Sequence, residues 1–226
     1  MGLKVNFYFD VMSPYTYFAF QILKRYRTLW DLEVTFLPFN LRAIMAGSNN
    51  TPPAMVPNRA LFLSNDLKRN ADWYKLETTF KGMPDNFFSE VGKPSILLNR
   101  LLCVVCSSPV ISETNKWKAV DAAFRIIWED PRYRNKSLFY LPSGLDGLQS
   151  DFLSQASLGD QRLTESQGRY LLKEHTERAL GLHAFGSPIL HFENHEIFFG
   201  SDRFEQIAFI FNLPWYGPTP DSGSRM

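Results

Sequence analysis

The strand-like segments of this chain lie near its two ends, and a long helical stretch separates them. Residues 4–9 and 32–39 have strand patterns and flank an amphipathic segment that begins at Ser13-Pro14. Ser suits a helix N-cap and Pro suits the first helical position. The opening therefore predicts strand, helix and strand, with the two strands parallel because a helix connects them.

The middle of the chain has helical periodicity and no convincing strand. Mostly apolar residues recur at helical spacing in three stripes: Ile96, Leu97, Arg100, Leu101, Val104; Trp117, Val120, Phe124, Ile127, Trp128; Leu171, Leu172, His175, Ala179. Residues 189–192 and 196–199 then predict a hairpin, and Ser201-Asp202 opens a last helix. We therefore expect an α/β protein with a thioredoxin-like fold, in which an all-helical domain is inserted between the second strand and the hairpin. The expected parts are 1–52, 53–179 and 180–226.

Composition removes several classes of function from consideration. Lys and Arg number 24 against 23 Asp and Glu, without a basic run, so we expect no nucleic-acid partner. No stretch approaches the roughly 18 apolar residues that span a membrane, so we expect no membrane association. The start is unlike a secretory signal, and two cysteines are no disulfide framework. An intracellular, reducing compartment is expected.

The first candidate for chemistry is Ser13-Pro14-Tyr15-Thr16, at the junction of the first strand and helix. Thioredoxin-like proteins carry Cys-x-x-Cys there, where the helix N-terminus acidifies the first cysteine. A serine hydroxyl cannot attack a disulfide, but it can donate a hydrogen bond to an external thiolate. Helix capping alone explains the same four residues, so both interpretations stand at this point.

Two further segments have a capping or turn explanation beside a functional one. Ser187-Pro188, before the hairpin, stands where thioredoxin-like folds place a cis-proline whose preceding backbone pairs with an extended peptide. Ser201 and Asp202 suit the cap of the last helix, and Asp202 with Glu205 is typical of a capping box. The same two residues suit the carboxylate and ammonium of a glutamyl group.

Cys103 and Cys106 form a second possible redox or metal motif, together with His191 and His195. The cysteines follow an apolar helical stripe rather than a first strand, and such cysteines are more often core residues. The two histidines flank a predicted hairpin turn, far along the chain from the cysteines. We therefore expect core cysteines and no metal site.

Several segments together resemble the kappa-class glutathione transferases and the related 2-hydroxychromene-2-carboxylate isomerases of the DsbA-like group. The resemblance runs in order along almost the whole chain and is faint between residues 75 and 168. It is carried by Phe9-Asp10-Val11-Met12-Ser13-Pro14-Tyr15, Ser48-Asn49-Asn50-Thr51-Pro52-Pro53, Asn65-Asp66-Leu67-Lys68, Ala184-Phe185-Gly186-Ser187-Pro188, Gly200-Ser201-Asp202-Arg203 and Trp215-Tyr216-Gly217-Pro218-Thr219-Pro220. The segment at 48–53 and the ending favour the transferases over the isomerases.

The resemblance implies a site for the cysteinyl part of glutathione, which is the expected co-substrate. Ser13 would hydrogen-bond the glutathione sulfur as the catalytic residue, with Pro14 and Tyr15 in the same corner. Ser187, before Pro188, would pair its backbone with the cysteinyl unit. The family often has leucine in place of Ser187, a difference that matters little if only the backbone binds.

The two ends of glutathione are also assigned by the resemblance. Asn50 would hold the glycine end, and Ser201 with Asp202 would hold the glutamyl end. Arg59 falls near a family lysine that helps to bind the glycyl carboxylate. The positive charge is kept, although arginine and lysine reach a carboxylate differently.

The implied activity is transfer of glutathione to small hydrophobic electrophiles, with reduction of organic peroxides as an extension, by a homodimer without a metal. Two alternatives stay open: a glutathione-dependent isomerase, and a thioredoxin-fold module that binds peptides without turnover. The ending Ser224-Arg225-Met226 approximates a peroxisomal address. Peroxisome, mitochondrion and cytosol are the expected locations.

Overall fold

The computed structural model describes residues 2–83, 87, 92–131, 142–159 and 164–220. Four strands form one sheet: β1 (Leu3–Phe9), β2 (Leu32–Pro38), β3 (Ile189–Phe192) and β4 (Ile197–Phe199). Their order is β2-β1-β3-β4. β1 runs parallel to β2 and antiparallel to β3, and β3 pairs with β4 as a hairpin. The parallel pair and the hairpin predicted from sequence are confirmed.

Helices account for the rest of the regular structure of the described residues. Before the sheet resumes at β3 they are α1 (Pro14–Tyr26), α2 (Leu41–Gly47), α3 (Pro57–Trp73), α4 (Gly92–Ser107), α5 (Glu113–Trp128), α6 (Pro142–Gln155) and α7 (Glu165–Gly181), with a single 3₁₀ turn at Pro53–Met55. After β4 comes α8 (Phe204–Ile210). The helical middle of the chain is therefore as expected. The boundaries 52/53 and 179/180 stay predictions.

The helical insert packs directly on the sheet and on α1 through aromatic rings. Phe124 of α5 lies 5.3 Å from Phe20 of α1 and 5.8 Å from Phe9 of β1, measured between ring centroids. Trp117 of the same helix meets Phe36 of β2 edge to face at 4.9 Å. Offset and edge-to-face ring pairs stabilise a core beyond their buried area. The insert and the sheet consequently share one apolar core.

One of the three predicted apolar stripes is wrong in register. In α4 the buried apolar side chains are Leu98, Leu101, Leu102, Cys103 and Val105. Of the predicted stripe only Leu101 is among them, and Ile96, Leu97, Arg100 and Val104 are half-buried. α4 packs against α7 on one side and β2 on another, so its buried surface is wider than a single stripe. The stripe of α5 is buried as predicted.

The end of the described chain is fixed to the far end of α1. Trp215 stacks on Tyr26 with ring centroids 4.9 Å apart, and the Tyr26 hydroxyl donates to the Gly217 carbonyl at 2.6 Å. Trp30 donates its indole N–H to the Pro214 carbonyl at 2.7 Å. These bonds explain why the ending is aromatic and proline-rich. The tripeptide Ser224-Arg225-Met226 lies outside the described residues.

Candidate functional site

Ser13 caps α1 and also contacts the loop before β3. Its Oγ accepts a hydrogen bond from the Thr16 N–H at 3.2 Å, and its hydroxyl donates to the Ser187 carbonyl at 3.3 Å. Pro14 has no N–H, and the Thr16 N–H is bonded to the Ser13 hydroxyl. Of these first-turn residues, Tyr15 therefore has the backbone N–H that the cap does not use. A hydroxyl has acceptor lone pairs and one proton. Capping by the oxygen therefore leaves the proton available to another acceptor.

The loop before β3 is bonded to the same helix end. The Ser187–Pro188 peptide bond is cis, as the sequence predicts. The Ser187 Oγ lies 2.7 Å from the Thr16 Oγ1 and accepts a hydrogen bond from the Asp10 N–H at 3.2 Å. Ser187 is thus held by its side chain as well as its carbonyl. A leucine at this position could form neither side-chain bond, so serine here fixes the loop against α1.

A cavity of about 800 Å³ opens beside Ser13 and Ser187. Most of its wall is apolar, and it extends across α2 and the start of α3. Six predicted site residues line it together: Ser13, Pro14, Tyr15, Asn50, Arg59 and Ser187. The other three predicted residues, Pro188, Ser201 and Asp202, lie outside that lining. The residues assigned to the sulfur and to the glycine end therefore face one space.

Asn50 connects two walls of the cavity. Its Nδ2 donates to the Phe185 carbonyl at 2.7 Å, and its Oδ1 accepts from the Thr51 N–H at 2.8 Å. Gly186, which follows Phe185, packs under the ring of Phe199. A Cβ added to Gly186 would lie only 2.7 Å from a carbon of that ring. A side chain at this position would have to displace the Phe199 ring. The amide side chain and the glycine together set the width of the cavity at this end.

The carboxylates of Asp66 and Asp202 lie near the Tyr15 hydroxyl. The Tyr15 hydroxyl donates to the Asp66 Oδ2 at 2.6 Å, and the Asn70 amide donates to the same oxygen at 3.0 Å. Burial, followed by the bond to Asp66 and the charges of Asp66 and Asp202, raises the pKa of Tyr15. The phenol therefore stays protonated near neutral pH. A region of negative charge thus adjoins the cavity, behind one of its walls.

Ser201 and Asp202 do not cap the last helix. The N-cap of α8 is Arg203, without a side-chain capping bond, so the predicted capping box with Glu205 is wrong. The Asp202 carboxylate instead lies 3.2 Å from the Arg203 guanidinium, and about two thirds of its side chain is exposed. Tyr74 of α3's C-terminal end donates its hydroxyl to the Ser201 carbonyl at 3.1 Å. The turn is held in place by the insert while the Asp202 carboxylate is accessible.

Comparison with known proteins identifies the family. The DSBA-like thioredoxin domain family matches residues 4–211 of the chain. Glutathione S-transferase kappa 1 of Caenorhabditis elegans is 30% identical, over 96% of this chain and 94% of the relative. The Homo sapiens protein of the same name has the same identity and coverage. The chain belongs to the kappa-class glutathione transferases. A solved 2-hydroxychromene-2-carboxylate isomerase shares the fold, with a TM-score of 0.67 at 21% identity over 92% of this chain and 94% of that chain.

The cysteines of this kappa-class chain lie away from the helix-α1 site. Cys103 is buried, and its Sγ lies 3.6 Å from both the Pro38 carbonyl oxygen and the His175 Nδ1. Cys106 is half-buried and packs against the core. Burial raises the pKa of both thiols, so both are protonated at neutral pH. Within the described ranges, no three or more His, Cys, Asp or Glu side chains are grouped as metal ligands would be.

A buried polar network beneath the kappa-class site was not predicted. The Asp10 carboxylate accepts hydrogen bonds from the Met12 N–H and the Leu41 N–H, each at 2.9 Å. Asn99 of α4 accepts from the Val11 N–H at 3.3 Å. Burial raises the pKa of Asp10, and its bonds to Leu41 and Met12 oppose that rise. The network fixes the loop that presents Ser13. Asp10 appeared only within a segment of the resemblance, as a lone acidic residue at the end of an apolar strand and without a role.

Four other residues of the site had weak or no sequence signals. Thr16 appeared only as part of the helix start, and Asp66 only within a segment of the resemblance, without a role. Tyr74 belongs to none of the segments that carry the resemblance. Arg42, which lines the cavity from α2, had no distinguishing pattern around it. Their roles depend on contacts between residues far apart in the chain, which a single sequence does not show.

Proposed function

We propose that this protein binds glutathione as a thiolate beside Ser13 and conjugates it to small hydrophobic electrophiles. The observation that supports the proposal is the meeting of three features on one cavity wall. These are the capped N-terminus of α1, the hydroxyl of Ser13, and the Ser187 carbonyl 3.3 Å from that hydroxyl. The family to which the chain belongs agrees with this activity.

The cysteinyl unit of glutathione would pair with the backbone of Ser187. An incoming peptide N–H would bond the Ser187 carbonyl, which now accepts the Ser13 hydroxyl. The Ser13 proton would then point to the sulfur, while the Ser13 oxygen keeps its bond from the Thr16 N–H. The exchange leaves each of these groups with a partner, so binding would not create an unsatisfied buried polar atom.

The ends of the tripeptide would lie on opposite sides of Ser13. Asn50 and Arg59 would hold the glycyl end, because both line the cavity and arginine binds carboxylates by paired hydrogen bonds. Ser201 and Asp202 would hold the glutamyl end. The accessible Asp202 carboxylate, with Asp66 nearby behind Tyr15, gives that side the negative charge that an ammonium group requires.

The helix end and the hydroxyl would both favour the thiolate over the thiol. A free thiol has a pKa of roughly 8.5, so only a few per cent is ionised at pH 7. Lowering that pKa by about 1 to 2 units, as helix N-termini with a hydrogen-bond donor do, raises the thiolate at pH 7 to between about a quarter and about three quarters. The sulfur would form a bond to an electrophilic carbon as a leaving group departs. Reduction of an organic peroxide would begin with attack of the same sulfur on the terminal peroxide oxygen. The O–O bond would break, an alcohol would leave after protonation, and the glutathione sulfur would be oxidised to a sulfenic acid.

A thiol-free ligand provides a sharp test of this proposal. Affinity for glutathione is measured by calorimetry from pH 6 to 8, beside the analogue in which a methyl group replaces the thiol. We expect glutathione binding to strengthen relative to binding of the analogue across this range, since only glutathione has a thiol that can ionise. Turnover of 1-chloro-2,4-dinitrobenzene should follow the same pH dependence. Absence of tripeptide binding at millimolar concentration, or binding without turnover, would contradict the proposal.

The same preparations distinguish the remaining alternatives. Accumulation of the trans product from a chromene carboxylate would indicate an isomerase. Retention of unfolded peptides without any conjugation would indicate a binding module. The homodimer and the organelle stay predictions. Light scattering after size-exclusion chromatography tests the first, and a fluorescent fusion with and without residues 224–226 tests the second.

A further inference from the structure

Ser187 contacts the N-terminal end of α1 through its carbonyl and through its hydroxyl. The carbonyl accepts the Ser13 hydroxyl at 3.3 Å, and the Ser187 Oγ lies 2.7 Å from the Thr16 Oγ1. The first contact belongs to the glutathione site proposed above, because glutathione would bind both of its groups. The second contact joins two side-chain hydroxyls to which the proposed binding of glutathione gives no role.

The hydroxyl pair of Thr16 and Ser187 is enclosed by protein. Thr16 is fully buried, and Ser187 is 7% exposed. The Ser187 Oγ also accepts the Asp10 N–H at 3.2 Å, so it joins the loop that contains the cis-proline to the loop after β1 as well as to α1. Hydrogen bonds are electrostatically stronger inside a protein than in water. The pair therefore helps to fix the distance between the cis-proline loop and the helix end.

Glutathione binding would remove one of the two contacts and leave the other. In the proposed complex, the peptide N–H of the cysteinyl unit takes the Ser187 carbonyl, and the Ser13 proton turns to the sulfur. The direct bond between Ser13 and Ser187 is then lost. The hydroxyl pair uses no group that the ligand takes, so it continues to join the loop to the first turn of α1.

The distance that the pair maintains is one that the ligand has to match. Only Cα and Cβ lie between the amide nitrogen and the sulfur of a cysteinyl unit. The Ser187 carbonyl and the Ser13 hydroxyl must therefore meet these two atoms at a short, fixed separation. A misplacement of about 1 Å can cost an enzyme roughly a hundredfold in rate. A hydrogen bond from Ser13 to the thiolate would weaken as well, because such bonds depend steeply on distance and angle.

We propose that the hydroxyls of Thr16 and Ser187 are positioning groups that keep the cysteinyl sulfur of glutathione within reach of the Ser13 proton. This rests on the proposed transferase activity and adds two side chains to its site. Neither hydroxyl touches the reacting atoms, so both act through Ser13 and the Ser187 carbonyl. The serine that replaces the family's frequent leucine at position 187 thereby has a function, since leucine has no side-chain group that could bond Thr16.

Removal of the Thr16 hydroxyl tests the proposal with little change in side-chain shape. Thr16→Val should raise the pKa of bound glutathione by up to about 1 unit, the low end of the effect of losing a hydrogen bond to a charged group. Turnover of 1-chloro-2,4-dinitrobenzene at pH 7 should fall several-fold, and its pH profile should move upward with the pKa. Affinity for the thiol-free analogue should change little. Thiolate absorbance, steady-state kinetics and calorimetry measure these effects.

Matched variants separate positioning from stability. Thr16→Ser keeps the hydroxyl and should keep the wild-type pKa of bound glutathione. Thr176→Val removes another buried threonine hydroxyl, which accepts the Asn40 N–H at 3.0 Å and donates to the Leu172 carbonyl at 2.6 Å, outside the cavity lining. It should lower the melting temperature without moving that pKa. Thr16→Val combined with Ser187→Ala should shift the pKa no further than Ser187→Ala alone, because either change removes the pair.

Three outcomes would overturn the inference. The first is a wild-type pKa and wild-type turnover in Thr16→Val. The second is an equal rise of the pKa in Thr176→Val, which would indicate a general loss of stability. The third is additive shifts in the double variant, which would mean that the two hydroxyls act independently. If Thr16→Val fails to fold, as its melting curve would show, Thr16→Ala takes its place in each comparison.

Failure of the transferase proposal looks different from failure of this inference. In that case the wild type itself would bind no glutathione, or would bind it without ionising the thiol, and the positioning role would be overturned with it. A wild type that binds and conjugates glutathione, beside variants with the same thiol pKa, would overturn the positioning role alone.

Discussion

Substitution of Ser13 separates helix capping from thiolate binding. Ser13→Ala removes the acceptor for the Thr16 N–H at 3.2 Å and the donor to the Ser187 carbonyl at 3.3 Å. Loss of an N-cap costs about 1 kcal/mol. For a chain of this size, that corresponds to a fall in melting temperature of about 2 to 4 °C. Differential scanning fluorimetry or calorimetry measures this part of the effect.

The catalytic part of the effect should be larger. A hydrogen bond to a charged group contributes about 1.5 to 3 kcal/mol. Its loss from the Ser13 hydroxyl would raise the pKa of bound glutathione by about 1 to 2 units, at about 1.4 kcal/mol per unit. We expect Ser13→Ala to lower turnover at pH 7 by roughly tenfold or more while the affinity for the thiol-free analogue changes little. The thiolate absorbance of bound glutathione, titrated against pH, measures the pKa directly.

Two further substitutions at Ser13 complete the test. Aspartate caps a helix as well as serine does, but it cannot donate to a thiolate and its charge repels one. Threonine keeps both the acceptor and the donor. We expect Ser13→Asp to recover only the capping part of the melting temperature, because aspartate cannot donate to the Ser187 carbonyl, and to turn over more slowly than Ser13→Ala. Ser13→Thr should keep measurable activity. Recovery of both stability and turnover in Ser13→Asp would refute a thiolate-binding role.

Three other substitutions or treatments have definite expected results. Asn50→Ala should raise the Kd for glutathione about tenfold with little change in kcat, because the bond that sets the cavity width is lost; calorimetry and steady-state kinetics measure this. Cys103 and Cys106 should resist iodoacetamide at pH 7 in the native protein and react after unfolding in urea, because burial raises the pKa of both thiols; mass spectrometry counts the labels. Burial lowers the pKa of His175, so on acidification the unfolded chain protonates it at a higher pH than the native chain does. Stability should therefore fall on acidification from pH 7 to 5, by at most about 1.4 kcal/mol per pH unit, and His175→Gln should remove that contribution in urea titrations.

The sequence was most informative where function depends on short segments of backbone. Strand β3 occupies the residues predicted for it, and the cis bond lies at Ser187–Pro188 as expected. Local rules sufficed there, because proline and the N-cap preference of serine act on neighbouring residues. The start of α8 was predicted incorrectly by the same local rules. Arg203, rather than Asp202, occupies its N-cap, since the turn is fixed by tertiary contacts as well as by capping.

Long-range contacts account for what the sequence did not indicate. Ser187 was expected to act through its backbone alone, yet its hydroxyl is bonded to Thr16 and to the Asp10 N–H. The register of α4 was predicted incorrectly because that helix packs on several neighbours at once, chiefly α7 and β2. Periodicity describes one buried face, so a helix with two buried faces escapes it. Such features become visible only when residues 65 to 177 positions apart are placed together.

The helical insert supports the candidate site rather than forming a separate cover over it. From α4, Asn99 accepts the Val11 N–H and donates to the Phe39 carbonyl, each at 3.3 Å, and so links the loops that follow β1 and β2. From α3, Asp66 receives the Tyr15 hydroxyl at 2.6 Å. Both contacts act on loops of the thioredoxin unit. Without the insert, Val11 and Tyr15 would lose these partners, and the loop that presents Ser13 would lose its support. A thioredoxin unit of this chain alone should therefore bind glutathione poorly, even with Ser13 intact.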